Sequence, residues 1–261
     1  MQVTAARIFL ILQTLQACAV ADNSVVNLSH YDLVRPDFVA MQNQGMIGVI
    51  HEASYPRAVR DEKYAERQNA AVRAGLLWGA YHFADATDPV RQADFFLNAV
   101  SNAWRAADAS ARPNEVLLVL DFEKNGHYPG GTMRVDQAVT FAERIRERTG
   151  VYPGIYSGEY RIRDVLNNRA VSPASKRALT RCWLWVANYH YEPQTVSPWS
   201  RWTFWQYTGD GVCDLPRSSF PKHIANVRNA ERNIYRGSDD ALRAFWQTHG
   251  WNPGGATSSD E

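Results

Sequence analysis

The sequence predicts an α/β fold: an irregular TIM-like (β/α) barrel with helices missing in the C-terminal third. Three observations carry this. Between Val25 and Tyr156, five short strand-like runs alternate with helical stretches, the order that parallel strands with crossover helices require. The fourth run in particular is continuously apolar, the pattern of a strand covered on both faces. Beyond Tyr156, strand-like runs continue while helical periodicity fades, and 261 residues suit a single barrel of about 250 residues.

The elements follow in order. Val25 to Leu28 reads as the first strand and Pro36 to Gln44 as a helix closed by Gly45. Ile47 to His51 is the second strand, Asp61 to Ala74 a polar-faced helix, and Leu76 to Phe83 the third strand. Asp88 to Ala106 is a long helix with Pro89 in its first turn, where the missing N–H costs nothing. Val116 to Glu123 is the fourth strand, Met133 to Arg148 a helix ending at Gly150, and Tyr152 to Tyr156 the fifth strand. Trp183 to Asn188 and Trp202 to Tyr207 read as strands with little helix between them. Gly209 to Asn229 is irregular, and Asp239 to Thr248 is a closing helix. Residues 251–261, rich in Gly, Ser and Asp, read as a disordered tail.

The ends and the cysteines point to export. Arg7 precedes an apolar run from Ile8 to Leu12, and Ala19-Val20-Ala21 has the small-x-small form of a cleavage site, so residues 1–21 read as a signal peptide. The expected location is secreted or periplasmic, with lipid anchoring through Cys18 as the alternative. Removal of Cys18 leaves Cys182 and Cys213, either a disulfide or two free thiols. No later stretch is long and apolar enough to span a membrane. With 28 basic and 27 acidic residues, the net charge of +1 gives no argument for a nucleic-acid partner. No Cys/His spacing resembles a metal site, so neither metal nor cofactor is expected, and the chain is expected to act as a monomer. Nine Trp and twelve Tyr leave aromatic side chains to spare for stacking on sugar faces.

The chemistry concentrates in Val116-Leu-Leu-Val-Leu-Asp-Phe-Glu-Lys124. Residues two apart on a strand share a face, which sets Asp121 and Glu123 side by side, about 6 to 7 Å apart along the backbone. They lie at the C-terminal end of a barrel strand, where barrel enzymes build active sites. Two close carboxyls in a partly apolar pocket titrate as a pair, and one keeps its proton at neutral pH. Glycosidic cleavage uses such a pair: an acid for the leaving oxygen and a carboxylate facing the positive sugar carbon.

Around this pair stand Asn27-Leu-Ser-His30, Gly79-Ala-Tyr-His-Phe83, Pro153-Gly-Ile-Tyr-Ser157, Trp185-Val-Ala-Asn-Tyr189 and Trp205-Gln-Tyr207. This ordered series resembles glycoside hydrolase family 25, the Chalaropsis-type lysozymes, over residues 25–246. The resemblance implies a modified barrel spanning residues 22–250. It also implies hydrolysis of the β-1,4 bond between N-acetylmuramic acid and N-acetylglucosamine in peptidoglycan. By position, Glu123 is the expected general acid. Asp121 is its expected partner, orienting the substrate's 2-acetamido group or stabilising the oxocarbenium-like state. Asn27, Tyr81, Tyr156, Trp185, Gln206 and Glu231 are the expected substrate contacts, with Trp205 a further candidate sugar platform. His82 alternates away from Tyr81 and reads as structural; His30 faces either the mouth or the next loop.

Three positions depart from the family pattern. Asn27 stands where Asp is usual, Glu231-Arg-Asn233 replaces Asp-x-Asn, and Glu52 replaces the Lys that usually precedes Ala-Thr. The alternative reading is therefore a weakened or non-catalytic peptidoglycan-binding protein on the same fold, because Asn27 cannot carry charge.

Overall fold

The computed structural model describes residues 24–166 and 168–255. The strands are β1 (Val25–Leu28), β2 (Gly48–Tyr55), β3 (Val59–Arg60), β4 (Leu77–Phe83), β5 (Val116–Asp121), β6 (Gly154–Gly158), β7 (Trp183–Ala187), β8 (Phe204–Thr208) and β9 (Glu231–Tyr235). The helices are α1 (Phe38–Asn43), α2 (Tyr64–Arg73), α3 (Pro89–Ala106), α4 (Val135–Thr149), the single turn α5 (Glu159–Arg161), α6 (Pro173–Leu179) and α7 (Asp239–His249). Within the sheet, β3 only extends β2 as a short hairpin. The remaining strands run β1-β9-β8-β7-β6-β5-β4-β2, and a β1–β2 pairing closes them into an eight-stranded mixed barrel. Neighbours are parallel except where β9 inserts antiparallel between β8 and β1.

The helical crossovers explain the parallel part. Asp88 caps α3, accepting from the Val90 and Arg91 N–H groups, and Pro89 occupies its first turn. Gly150 ends α4 in a left-handed conformation at φ 79°. Arg144 ties α4 to α3 through Asp94 at 2.9 Å, so this stretch is less a free solvated face than its charge suggests. No helix joins β7 to β8 or β8 to β9, which is the expected loss of helices near the end; α6, immediately before β7, was not expected.

Strand alternation sorts the core into two layers. Val26, Val49, Trp78, Leu118, Leu120, Ile155, Leu184 and Trp205 face outward under the helices. Val25, Ile50, Leu117, Val119, Trp183, Trp185 and Phe204 face inward and fill the lower barrel together with Leu242 and Trp246 of α7. α7 therefore plugs the end at which the parallel strands begin. Trp246 is 1% exposed, and its indole N–H donates to the Trp78 carbonyl at 2.9 Å. Its ring occupies the space a Cβ at Gly48 would need, 2.8 Å away, and the Trp183 ring lies equally tight, 2.5 Å, over Gly154. Both glycines are thus required by close approach rather than by turn geometry.

Some boundaries differ from the sequence reading. β5 stops at Asp121 because the following loop is organised locally. Asn125 Oδ1 accepts from the His127 and Tyr128 N–H groups, and its side-chain amide donates to the carbonyls of Tyr128 and Gly131. The ordered chain also passes the expected boundary at 250, since Trp251 exchanges two backbone hydrogen bonds with Val116 at 2.7 and 2.9 Å. Residues 1–21, expected as a signal peptide and including Cys18, and the end of the expected tail lie outside the described residues. Cys182 and Cys213 are both free thiols. Among the described residues, no helix is long and apolar enough to cross a membrane.

Replacing Trp246 with Ala removes the plug and leaves a cavity beside Gly48. The expected loss is about 3 to 5 kcal/mol of unfolding free energy, measured by denaturant titration. A loss below about 1 kcal/mol would show that the lower barrel does not depend on α7.

Candidate active site

The upper inward positions of the barrel are polar where the lower ones are apolar. Continuing the same alternation, Asn27 (β1), Glu52 (β2), Tyr81 (β4), Asp121 (β5), Gln206 (β8) and Glu231 (β9) all point inward at the C-terminal ends of the parallel strands. Above the apolar plug lies a pocket of about 170 Å³ lined by Asn27, Ser29, Tyr31, Tyr81, Asp121, Glu123, Tyr156, Trp185, Tyr189, Asp210 and Glu231. A second compartment of about 490 Å³ continues from it past Tyr160, Arg163, Asn188 and Tyr191. Glu123, Tyr189 and Asp210 belong to both. Glu123 thus stands at the junction between a smaller and a larger compartment.

Of the expected residues, Asn27, Tyr81, Asp121, Glu123, Tyr156, Trp185 and Glu231 line this pocket, and two others need correction. Gln206 does not line the pocket. It is 1% exposed and all its polar capacity is used within the protein. Its carbonyl oxygen accepts from the hydroxyls of Tyr156 at 2.5 Å and Tyr189 at 3.0 Å. Its amide donates to Asn27 Oδ1 at 3.0 Å and Glu231 Oε2 at 3.3 Å. Gln206 positions other groups instead of meeting a sugar hydroxyl. Trp205 faces the opposite way and is also corrected: it packs against Trp202 and Phe220 in the outer layer, with its indole N–H on the Asn188 carbonyl. Trp185 does line the pocket. Its indole N–H donates to Asn233 Oδ1 at 2.7 Å and its ring meets Tyr156 edge-on at 4.6 Å. His82 is buried in the outer layer between Ser54 and Gln92. His30 does not line the pocket; it is bonded to the Glu52 carboxylate and lies against the rings of Tyr31 and Tyr55.

Asn27 and Glu231 are directly opposed on neighbouring antiparallel strands. The Asn27 amide donates to the Glu231 carboxylate, while Asn27 Oδ1 accepts from Gln206 and from Asn233 at 2.9 Å. Burial pushes the Glu231 carboxyl up to about 8, and the charges of Asp32 and Asp210 push the same way. Asp121 is held well above the usual carboxylate range, first by burial and then by the charges of Glu123, Glu52 and Glu231. Its Oδ1 is buried without a hydrogen-bond partner. Glu123 is also raised, mainly by burial, with Arg161 opposing the shift.

Arg161, absent from the sequence reading, sits beneath the pair. Its guanidinium donates to the Phe122 carbonyl at 2.9 Å and the Met133 carbonyl at 3.2 Å, and lies 4.4 Å over the Phe122 ring. Ser29, Tyr31, Tyr189 and Asp210 were missed as well. They come from loops and strand ends, where no periodicity marks an inward side chain.

Glu231 sets a sign for stability against pH. Between its ordinary value of 4.5 and about 8, folded Glu231 holds a proton that the unfolded chain releases. Stability is therefore highest at low pH and falls as pH rises through this window. Glu231→Gln is expected to melt above wild type at pH 8, by on the order of 5 °C, and the gap is expected to close toward pH 5. Asn27→Asp removes the amide donor and sets a second acid opposite Glu231. It is expected to cost about 1 to 3 kcal/mol at pH 8, recovered largely in the Asn27→Asp/Glu231→Gln double variant. Equal melting temperatures for all four proteins across pH 5–8 would contradict this arrangement.

Comparison with known proteins agrees with the geometry. The sequence profile of the family described as glycosyl hydrolases family 25 matches residues 26–214. Lysozyme M1 of Streptomyces globisporus is 28% identical over 206 residues, covering 72% of this chain; the match spans 64% of that relative's length. A bacterial lysozyme from Streptomyces coelicolor superposes with a TM-score of 0.67 at 22% identity, covering 88% of this chain and 99% of the other. A family 25 lysozyme from Aspergillus fumigatus gives 0.63 at 22% identity, covering 87% and 99%. With the profile matching most of its length and the barrel shared, the chain belongs to glycosyl hydrolase family 25.

Proposed function

We propose that this protein is a peptidoglycan hydrolase, an N-acetylmuramidase that cleaves the β-1,4 bond between N-acetylmuramic acid and N-acetylglucosamine. Glu123 is its general acid and Asp121 its assisting carboxylate. The observation that carries this reading is the place of Glu123 at the junction of two compartments, beside a buried Asp121 with an unpartnered oxygen. A glycan threaded through both would present a glycosidic oxygen to Glu123.

Burial raises both carboxyls, Asp121 the further, and it is position that makes Glu123 the acid. Glu123, raised by burial, keeps a proton for the leaving oxygen. As the bond breaks, the proton held by the pair goes to the leaving oxygen, positive charge grows on the sugar ring, and the Asp121 carboxylate supports that charge. The rise in Asp121 that burial causes in the free protein is relieved once a cation-like state forms beside it. Trp185, Tyr81 and Tyr156 wall the pocket and Glu231 flanks the sugar. Substrate reading falls to side chains already held by the Asn27–Gln206–Asn233 network. The identities of the relatives, lysozymes of Streptomyces and of Aspergillus, favour the same substrate. We place the action outside the cytoplasm, in keeping with Arg7, the apolar run Ile8 to Leu12 and Ala19-Val20-Ala21.

The test is a digest of purified peptidoglycan by the wild-type protein and by Glu123→Gln, with the products reduced and mass-analysed. Wild type is expected to release muropeptides ending in reduced muramic acid. The variant is expected to lose about 10²- to 10⁴-fold in rate while still melting cooperatively. Undiminished cleavage by the variant would remove Glu123 from its role. Wall binding without products from folded wild type would favour the binding-protein reading that Asn27 raises.

A further inference from the structure

Beside the pocket, two buried carboxyl groups share a single partly exposed imidazole. His30 follows β1, Glu52 lies on β2 and Asp61 follows β3, and a ligand atom from each lies within 4.8 Å of the others. Glu52 is 4% exposed and Asp61 5%. One Glu52 oxygen is bonded to His30 Nδ1. Asp61 Oδ1 accepts the Lys63 backbone N–H at 2.8 Å. Asp61 Oδ2 is enclosed and has no hydrogen-bond partner; it points toward His30 Nδ1 and His51 Nδ1, 3.8 Å from each.

The basic groups nearby are committed elsewhere. Lys63 Nζ donates to the carbonyls of His30 at 2.5 Å and Asp32 at 3.1 Å. The Arg67 guanidinium serves the carbonyls of Ser29, Asp32 and Val34 and the Nε2 of His51. His51, fully buried, offers no charge either: burial holds it down to about 3, and its Nδ1 is bonded to the Glu52 carbonyl. Two buried carboxylates are left with one imidazole between them, an arrangement that is costly unless a cation joins it.

We propose that His30, Glu52 and Asp61 form a binding site for a divalent cation of the zinc class beside the pocket. The donors are one imidazole nitrogen and two carboxylate oxygens, a set that suits zinc and, less strongly, manganese. His30 is 21% exposed at its side chain, which leaves an outer position for water or a ligand. Binding breaks the His30–Glu52 hydrogen bond and releases the Nδ1 proton, so the incoming charge balances both carboxylates. The ligands come from three separate elements, which is why sequence spacing gave no metal motif. The site touches the pocket through Tyr31, whose ring lies tilted 3.9 Å from His30 and which lines the pocket. It is distinct from Asp121 and Glu123, and it stands whether or not the muramidase reading does.

Calorimetric titration of the chelator-stripped protein with zinc chloride, repeated with manganese chloride, tests this. Wild type is expected to bind one zinc ion and to gain thermal stability from it. Glu52→Gln and His30→Gln are expected to bind at least about tenfold more weakly. The partly exposed His30 makes His30→Gln the variant that keeps its fold, checked by its melting temperature without metal. The proposal is overturned if folded wild type takes up no zinc below about 1 mM, or if His30→Gln binds it as tightly as wild type.

Discussion

The site rests on the hydrogen bonds that join β1, β9 and β8 across the barrel interior. Asn27, Gln206 and Asn233 lie on these three strands, and almost every polar atom they bring inward finds a partner in another. Buried amides are tolerated only when satisfied in this way. The consequence is geometric. Tyr156 and Tyr189 are fixed through the Gln206 carbonyl, Trp185 through Asn233, and Glu231 through the amides of Asn27 and Gln206. The walls of the pocket are therefore set before any sugar arrives, which is the form of preorganisation that catalysis by charge stabilisation requires.

The antiparallel insertion of β9 makes this network available. In an all-parallel barrel, each strand would deliver its C-terminal end to the top. β9 instead enters from the top, so Glu231 at its first position faces Asn27 near the end of β1. The irregularity at the end of the barrel and the chemistry at its mouth are one feature.

Much of this was legible in the sequence because it follows from period two. Asp121, Tyr81, Tyr156 and Trp185 sit on apolar strands whose faces can be counted, and Glu123 continues the count of β5 beyond its last bonded residue. β9 was not recognised as a strand, because Glu231-Arg-Asn-Ile-Tyr235 presents its polar residues to the barrel interior and so lacks an apolar inward face. Gln206 was placed correctly on its strand but misread in role: alternation says which way a side chain points, not whether its bonds are already taken. Asp210, at φ 51° in a turn, and Arg161, in a single helical turn, belong to stretches with no period to read. Their contribution follows only from tertiary packing.

The exchange at Asn27 argues for an altered site more than for a disarmed one. The neutral side chain at 27 has not been left to neutral neighbours. A carboxyl stands directly across from it on β9, and the amide at 27 is the donor that holds that carboxyl in place. Burying Glu231 opposite a second acid would add repulsion to an already large desolvation cost, whereas an amide converts the same position into a hydrogen-bond donor. Nor does binding alone account for Asp121. A buried carboxyl oxygen with no partner is a standing loss of stability, and a neutral asparagine would meet a sugar hydroxyl at less cost. Retaining the ionisable group there makes physical sense where a positive charge is to be stabilised, and of the steps a glycan can undergo in this pocket, the breaking of its glycosidic bond creates one.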